Sequence, residues 1–195
     1  MLLSEPTIAG SGLPTWSSRL LCELDASDRR AESVARGLSP AQLNWQPRPG
    51  AWSIGQCLEH LSAGNEILVP VLSAALGEYP HRPVDQITLG WFSRWFIRTF
   101  IGPNPGGTRA RAPKKIQPAR QVQPRILERF LQSTQAARTL VRQASNYDVN
   151  RIRYRNPFIP LLRFTVGAGL QIISEHEARH LLQAEAVRQA TGFPR

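Results

Sequence analysis

Two histidines four positions apart, His176 and His180, are the residues best suited to chemistry in this sequence. In a helix this spacing turns the two side chains about 40° apart around the axis and about 6 Å apart along it, so both can reach one ion. They share a face with Ile173, Ala184 and Val187, which the apolar pattern turns inward. Because buried imidazoles are unfavourable unless their nitrogens are satisfied, the pair predicts a metal site.

His60 is the predicted third ligand. It lies on an earlier helical segment, and its small neighbours Ala63 and Gly64 leave room for a ligand. In a four-helix bundle every helix faces the same core, so His60 can meet the pair. Three imidazoles leave at least one coordination position open, as in catalytic sites, and suit zinc, nickel, copper or iron. For each histidine taken singly, the alternative is a hydrogen-bonded core residue.

The string HEARH, residues 176–180, matches the zinc-protease motif HExxH, in which the glutamate is the general base. Such proteases need a third ligand farther along, but only 15 residues follow His180, and Ala186 stands where the extended motif requires histidine. The sequence therefore disfavours a protease. Glu177 remains the candidate catalytic base for a metal-bound water, the alternative being a solvated surface acid beside Arg179.

Four segments with helical periodicity must position these residues, which predicts an all-α fold. They cover about residues 15–37, 53–76, 124–146 and 164–190. Ser53 and Gln56 form a capping box at the second start. The long connection between the second and third helices, residues 77–123, can cross the bundle and permits an up-down-down-up order as well as a simple up-and-down one. Within it, the aromatic, amphipathic residues 91–101 predict a short helix.

Length and composition indicate one domain. With 195 residues, we expect a flexible tail over residues 1–14 and a single domain over residues 15–195. No apolar stretch reaches the roughly 18 residues of a membrane span, and the N-terminus lacks the features of a secretory signal, so we expect a cytoplasmic protein with no membrane partner. Cys22 and Cys57 show no metal-binding spacing, and packing is the expected role of Cys57.

The formal net charge of +10 would attract anions, whether nucleic acid, anionic lipid or an acidic small substrate. Charge scattered over helix faces is more typical of ordinary solvation. A nucleic-acid-binding protein is therefore the least favoured class.

Two motifs carry a family resemblance. The first is N-W-x-P-x-P-G-x-W-S-I at residues 44–54, followed by His60, and the second is H-x-x-x-H-x-x-Q, formed by His176, His180 and Gln183. With these motifs the chain resembles, over about residues 39–188, the DinB/YfiT-like superfamily, whose members are described as metalloenzymes. The resemblance implies an up-down-down-up four-helix bundle, a three-histidine site for zinc or nickel, and a homodimer. It implies no DNA binding.

Some relatives in that superfamily use low-molecular-weight thiols, as bacillithiol transferases and mycothiol-dependent isomerases do. The sequence thus predicts a metal-dependent enzyme acting on a small-molecule substrate, by thiol S-transfer or hydrolysis, with a low-molecular-weight thiol as a further cofactor in the first case. The alternative is a non-catalytic metal-binding or interaction module that pairs through residues 91–101. Trp52, part of the first motif, is expected to pack at the bundle end.

Overall fold

Four long helices form the frame of the protein in the computed structural model, which describes residues 12–77, 79–103 and 112–195. They are α1 (Thr15–Ala35), α3 (Ile54–Leu76), α5 (Ile126–Ala144) and α6 (Val166–Arg188). Two short helices, α2 (Pro40–Asn44) and α4 (Trp91–Phe96), lie in the connections. The predicted helical bundle is confirmed, whereas residues 1–11 of the predicted tail lie outside the described residues.

Side-chain hydrogen bonds establish the order of the helices. α1 and α6 run parallel, since the residue numbers of their hydrogen-bonded pairs rise together along both helices. The pairs are Arg19 with Gln171, Glu23 with Ser174, and Arg30 with Glu185. α3 and α5 run parallel for the same reason: Asn65 with Ser133, and Ser73 with Gln143.

α3 and α6 run in opposite directions, because His60 meets His176 whereas Leu72, farther along α3, lies near the earlier residue Gly169. Arg138 of α5 bonds Asp28 of α1 and so joins the two parallel pairs. The arrangement is up-down-down-up, and the long connection between α3 and α5 makes it possible.

The helix starts follow local chemistry. Ser53 Oγ accepts from the Gln56 backbone N–H at 3.1 Å, and Gln56 Oε1 accepts from the Ser53 N–H at 3.0 Å. This is the capping box predicted for α3. α6 begins after Thr165, whose hydroxyl accepts from the Ala168 N–H at 3.2 Å. It therefore starts two residues later than the periodicity alone placed it.

The described parts of the long connection between α3 and α5, residues 79–103 and 112–125, contain helical turns. α4 continues into a π-helical turn, Ile97–Ile101, and a 3-10 turn follows at Lys114–Ile116.

A hairpin of two short antiparallel strands, β1 (Arg153–Arg155) and β2 (Arg163–Thr165), precedes α6, with Tyr154 opposite Phe164. Phe92 and Phe96 of α4 pack on Phe164, with ring centroids 5.9 and 5.1 Å apart. α4 and the hairpin therefore form one aromatic wall beside the bundle.

The core consists of two apolar clusters with a buried polar layer between them. Along α1, for example, Leu24 belongs to the first cluster and Ala31 to the second, and the buried Ser27 lies between them. Each long helix contributes to this layer: Ser27 from α1, Asn65 from α3, Ser133 and Thr134 from α5, and Ser174, Glu177 and His180 from α6. Among the described residues, no helix combines the length and hydrophobicity needed to cross a bilayer.

We expect Gly169→Ala to lower the free energy of unfolding by about 1–2 kcal/mol, measured by urea denaturation of metal-free protein. A Cβ atom at Gly169 would lie 2.7 Å from Leu72 Cδ2 and 2.9 Å from Tyr154 Cε1, and this overlap outweighs the better helix propensity of alanine. Gly64→Ala is the matched control, because its Cβ would lie 3.8 Å from the His176 ring. A Gly169→Ala protein as stable as the original would contradict close packing of α3 on α6.

Candidate metal centre

The structure brings together the three histidines predicted to bind metal. His60 extends from α3, and His176 and His180 extend from α6. One ring nitrogen from each lies within 4.8 Å of the others, and the Nε2 atoms of His60 and His176 are 2.9 Å apart. A tetrahedral ion with bonds of about 2.1 Å holds its ligand nitrogens roughly 3.4 Å apart. Small side-chain adjustments would therefore allow all three to bind one ion.

Hydrogen bonds orient two of these rings for metal binding. His60 Nδ1 lies 2.7 Å from the carbonyl oxygen of Ile116, and His180 Nδ1 lies 3.0 Å from Gln183 Oε1. Because both oxygens only accept, each Nδ1 carries the hydrogen, and each Nε2 keeps a free lone pair. Metal-ligating histidines commonly have such a partner on the second nitrogen, so the donor set fits a divalent transition metal.

The three imidazoles are held in the neutral form that binds metal. Burial is the main cause in each case: it lowers the pKa of His60, lowers that of His176 well below its ordinary value, and lowers that of His180 to about 3. The neighbouring imidazoles and the positive charge of Arg179 act in the same direction. At neutral pH no proton therefore competes strongly with an ion for the ring nitrogens.

Trp52 covers the histidine cluster from the start of α3. Its ring lies 5.3 Å from that of His180, with the planes 27° apart, and 4.7 Å from that of His60. The sequence predicted only packing at the bundle end. The capping residue Ser53 fixes the turn that places Trp52 there, so the first sequence motif builds one wall of the site.

A cavity of about 480 Å³ opens from the histidines toward the aromatic wall. Its lining is mostly apolar. α3 and α6 form the side that carries the histidines, and α4, the π-helical turn and the hairpin loop form the opposite side: Phe92, Trp95, Phe96, Phe100, Phe158, Ile159 and Leu162. Within residues 12–77, 79–103 and 112–195, the only formally charged side chain in the lining is that of Arg179. A coordination position left open by the histidines would face a partly open, largely apolar space.

Glu177 lies in the polar layer of the bundle, and its side chain does not line the cavity. It is fully buried, and its Oε1 accepts from Asn65 Nδ2 at 2.9 Å. The alternative of a solvated surface acid is therefore wrong. Burial raises the pKa of Glu177 to about 7, and the Asn65 hydrogen bond offsets only part of that effect. Its assignment as a catalytic base stays a prediction.

Cys57 is buried in the second apolar cluster, one turn before His60. Burial raises the pKa of its thiol, which disfavours the thiolate needed for metal binding or nucleophilic attack. Cys57 therefore packs in the core, as the sequence predicted.

The pH dependence of the free energy of unfolding should reveal the raised pKa of the buried Glu177. Its folded-state pKa of about 7 lies above the ordinary 4.5, so ionisation destabilises the fold progressively as the pH rises from about 4.5 to 7. We expect Glu177→Gln to be more stable than the original chain by about 1–3 kcal/mol at pH 8, and to lose that advantage at pH 4.5. Urea denaturation of chelator-treated protein measures this difference.

The control for that experiment is Glu128→Gln on α5, which removes an exposed carboxylate. Its stability relative to the original chain should not change between pH 4.5 and pH 8 by a comparable amount. A Glu177→Gln advantage that is the same at both pH values would contradict a raised pKa.

Removing the partner of His180 should weaken metal binding. We expect Gln183→Leu to raise the zinc dissociation constant by about 10- to 100-fold, because the His180 Nδ1–H loses its acceptor and the ring its fixed orientation. Competition with a chromogenic chelator measures the constant. Gln189→Leu, at the exposed end of α6, is the matched control. Equal zinc affinity in the two variants would show that Gln183 does not support the site.

The comparisons with known proteins agree with this geometry. The DinB superfamily profile matches residues 23–184, a segment that contains all three histidines, the whole of α3 and α6 as far as residue 184. Searches of curated proteins and of solved structures gave no match for the chain. The family match covers most of the sequence and bears out the resemblance seen in its motifs, so this protein belongs to the DinB superfamily.

Proposed function

We propose that the protein is a metal-dependent enzyme that acts on a small molecule in the cavity, with one divalent ion, zinc or nickel foremost, held by His60, His176 and His180. One observation carries this proposal: ring nitrogens of the buried His60 and His180 and of the half-buried His176 converge at an apolar cavity, and hydrogen bonds orient two of the rings. A purely structural ion would need a fourth protein ligand. Among the described residues no fourth candidate joins the cluster.

When bound, such an ion supplies Lewis acidity and lowers the pKa of a water or thiol that it binds. The protein contributes the surroundings. Trp52 covers one side of the imidazoles, and the aromatic wall limits access of bulk water. In that low-dielectric space the charge of Arg179 acts more strongly on a reacting group than it would in water.

Two reaction types fit this arrangement, and the family resemblance favours thiol S-transfer over hydrolysis. In S-transfer the sulfur of a low-molecular-weight thiol forms a bond to an electrophilic carbon, the leaving group departs with its electron pair, and the thiol proton passes to a base. We propose Glu177 as that base, since its pKa of about 7 suits proton exchange near neutral pH. Its carboxyl group does not line the cavity, so the proton would reach it through a water beside Asn65, which lines the cavity and bonds Glu177. Glu177→Gln should then reduce turnover while leaving the metal content unchanged.

Elemental analysis tests the metal site directly. Protein purified without metal-affinity chromatography or chelator should contain close to one divalent transition-metal ion per chain. The His60→Ala, His176→Ala double variant should contain almost none, because a single imidazole remains. A screen of thiol cosubstrates and electrophiles with the identified ion then distinguishes S-transfer from hydrolysis.

Absence of metal from the original protein, even after incubation with zinc and nickel, would rule out the proposed enzyme. A double variant that retains the ion would instead place the binding site elsewhere. Circular dichroism of the variant shows whether the bundle is still folded, so that loss of metal is not confused with loss of structure.

A non-catalytic interaction module is the second candidate, and exposed apolar side chains favour it. Trp91 of α4 is 81% exposed, and Leu161 of the hairpin loop is 95% exposed. Such side chains often mark protein contacts, including the homodimer that the family resemblance implies. Light scattering of the original chain and of Trp91→Ala would show whether α4 takes part in a dimer. Turnover that depends on the bound metal would separate the enzyme from the module.

A further inference from the structure

We infer that the cavity binds a hydrophobic organic anion, with an aromatic or branched aliphatic body and one carboxylate or similar group held by Arg179. This inference rests on the proposed function, since it names the substrate class of the same cavity. It depends on three features: the apolar walls, the single cation among them, and the position of that cation beside the histidines.

Contacts within the protein hold the apolar walls in place. Asn156 Oδ1 accepts from the backbone N–H groups of Phe158 and Ile159, both at 2.9 Å, which fixes the hairpin loop. On the other side, Phe92 and Phe96 are held against Phe164. The volume of about 480 Å³ lies within the range of sites that bind small organic molecules. A preformed apolar space of this size favours a ligand with an apolar body over a small polar one.

Arg179 is the only formally charged side chain that the described residues place in the lining, and no aspartate or glutamate accompanies it there. Its Nη1 donates to the carbonyl oxygen of Phe100 at 2.9 Å. Among the described residues it forms no ion pair. A guanidinium has five N–H donors in a planar fork suited to a carboxylate. In a largely apolar cavity, its remaining donors favour an anionic partner.

The position of Arg179 orients such a ligand. The residue directly precedes His180 in α6, and its side chain lines the same cavity as the three imidazoles, so it lies close to the cluster. An anionic group on Arg179 would therefore lie beside the histidines. The apolar body would extend along the aromatic wall toward Trp95 and Ile159, the partly exposed lining residues.

Isothermal titration calorimetry with three probes tests the inference. The first is 1-naphthaleneacetate, which has an apolar body and a carboxylate. The second, 1-naphthaleneacetamide, has almost the same shape but no charge, and the third, acetate, lacks the apolar body. We expect the naphthalene carboxylate to bind at least about 10-fold more tightly than the amide, and acetate not to bind measurably. Each titration uses the full chain, both metal-loaded and chelator-treated.

Variants test separately the binding of the carboxylate by Arg179 and the binding of the apolar body by the aromatic wall. Arg179→Met should lower the affinity for the carboxylate to that for the amide and leave the amide affinity unchanged, whereas Arg179→Lys should keep part of the preference. Arg142→Met on α5, outside the cavity, is the matched control. Trp95→Ala should weaken both naphthalene probes, and Trp91→Ala, on the same helix but outside the lining, should weaken neither.

Equal affinity for carboxylate and amide, or no binding of either, would overturn the inference. A carboxylate preference that survives in Arg179→Met but disappears after chelator treatment would overturn the role of Arg179, because the ion would then hold the carboxylate. The proposed function is tested separately, by elemental analysis, and fails if the protein binds no metal. Binding to the chelator-treated chain depends on Arg179 and the apolar walls, so the two failures are distinguishable.

Discussion

The burial of polar groups at mid-height of the bundle is the constraint on which the rest of this structure depends. Three imidazoles and a carboxyl group occupy the level where two apolar clusters would otherwise join. Unsatisfied groups of this kind destabilise a core, so each needs a partner. Asn65 supplies one for Glu177, while Gln183 and the Ile116 carbonyl supply those for two of the histidines. A metal ion would satisfy the lone pairs of the imidazoles, whereas Glu177 Oε2 has no partner among the described residues.

The connection between α3 and α5 contributes as much to the site as the long helices do. α4 contributes its part of the aromatic wall, the carbonyl oxygen of Phe100 in the π-helical turn accepts from Arg179, and the carbonyl oxygen of Ile116 accepts from His60. A simple four-helix bundle would leave the histidines open to water on this side. The length of the connection, unusual for neighbouring helices, is therefore explained by two tasks, since it also allows the up-down-down-up order.

Sequence patterns predicted the elements that show helical periodicity or a recognisable capping motif. The spacing of His176 and His180, the capping box at Ser53 and the apolar stripes located the helices and the histidine pair. They could not predict contacts made by backbone atoms or by distant segments. The Ile116 carbonyl carries no residue signature, and β1 and β2 are too short to show alternation. The burial of Glu177 depends on how four helices meet, so its sequence neighbours gave no signal.

The His60 ring connects two parts of the protein that are far apart in the sequence, the histidine cluster on α6 and the crossover between α3 and α5. Its Nε2 faces the metal position, and its Nδ1–H donates to a carbonyl 56 residues later. An ion that withdraws electron density through one nitrogen makes the other a stronger donor, which tightens the attachment of the crossover. By thermodynamic reciprocity, an ordered crossover must then raise the affinity for the ion by the same factor. Metal binding at the centre and the attachment of Ile116 to His60 would thus be two measures of one coupling free energy.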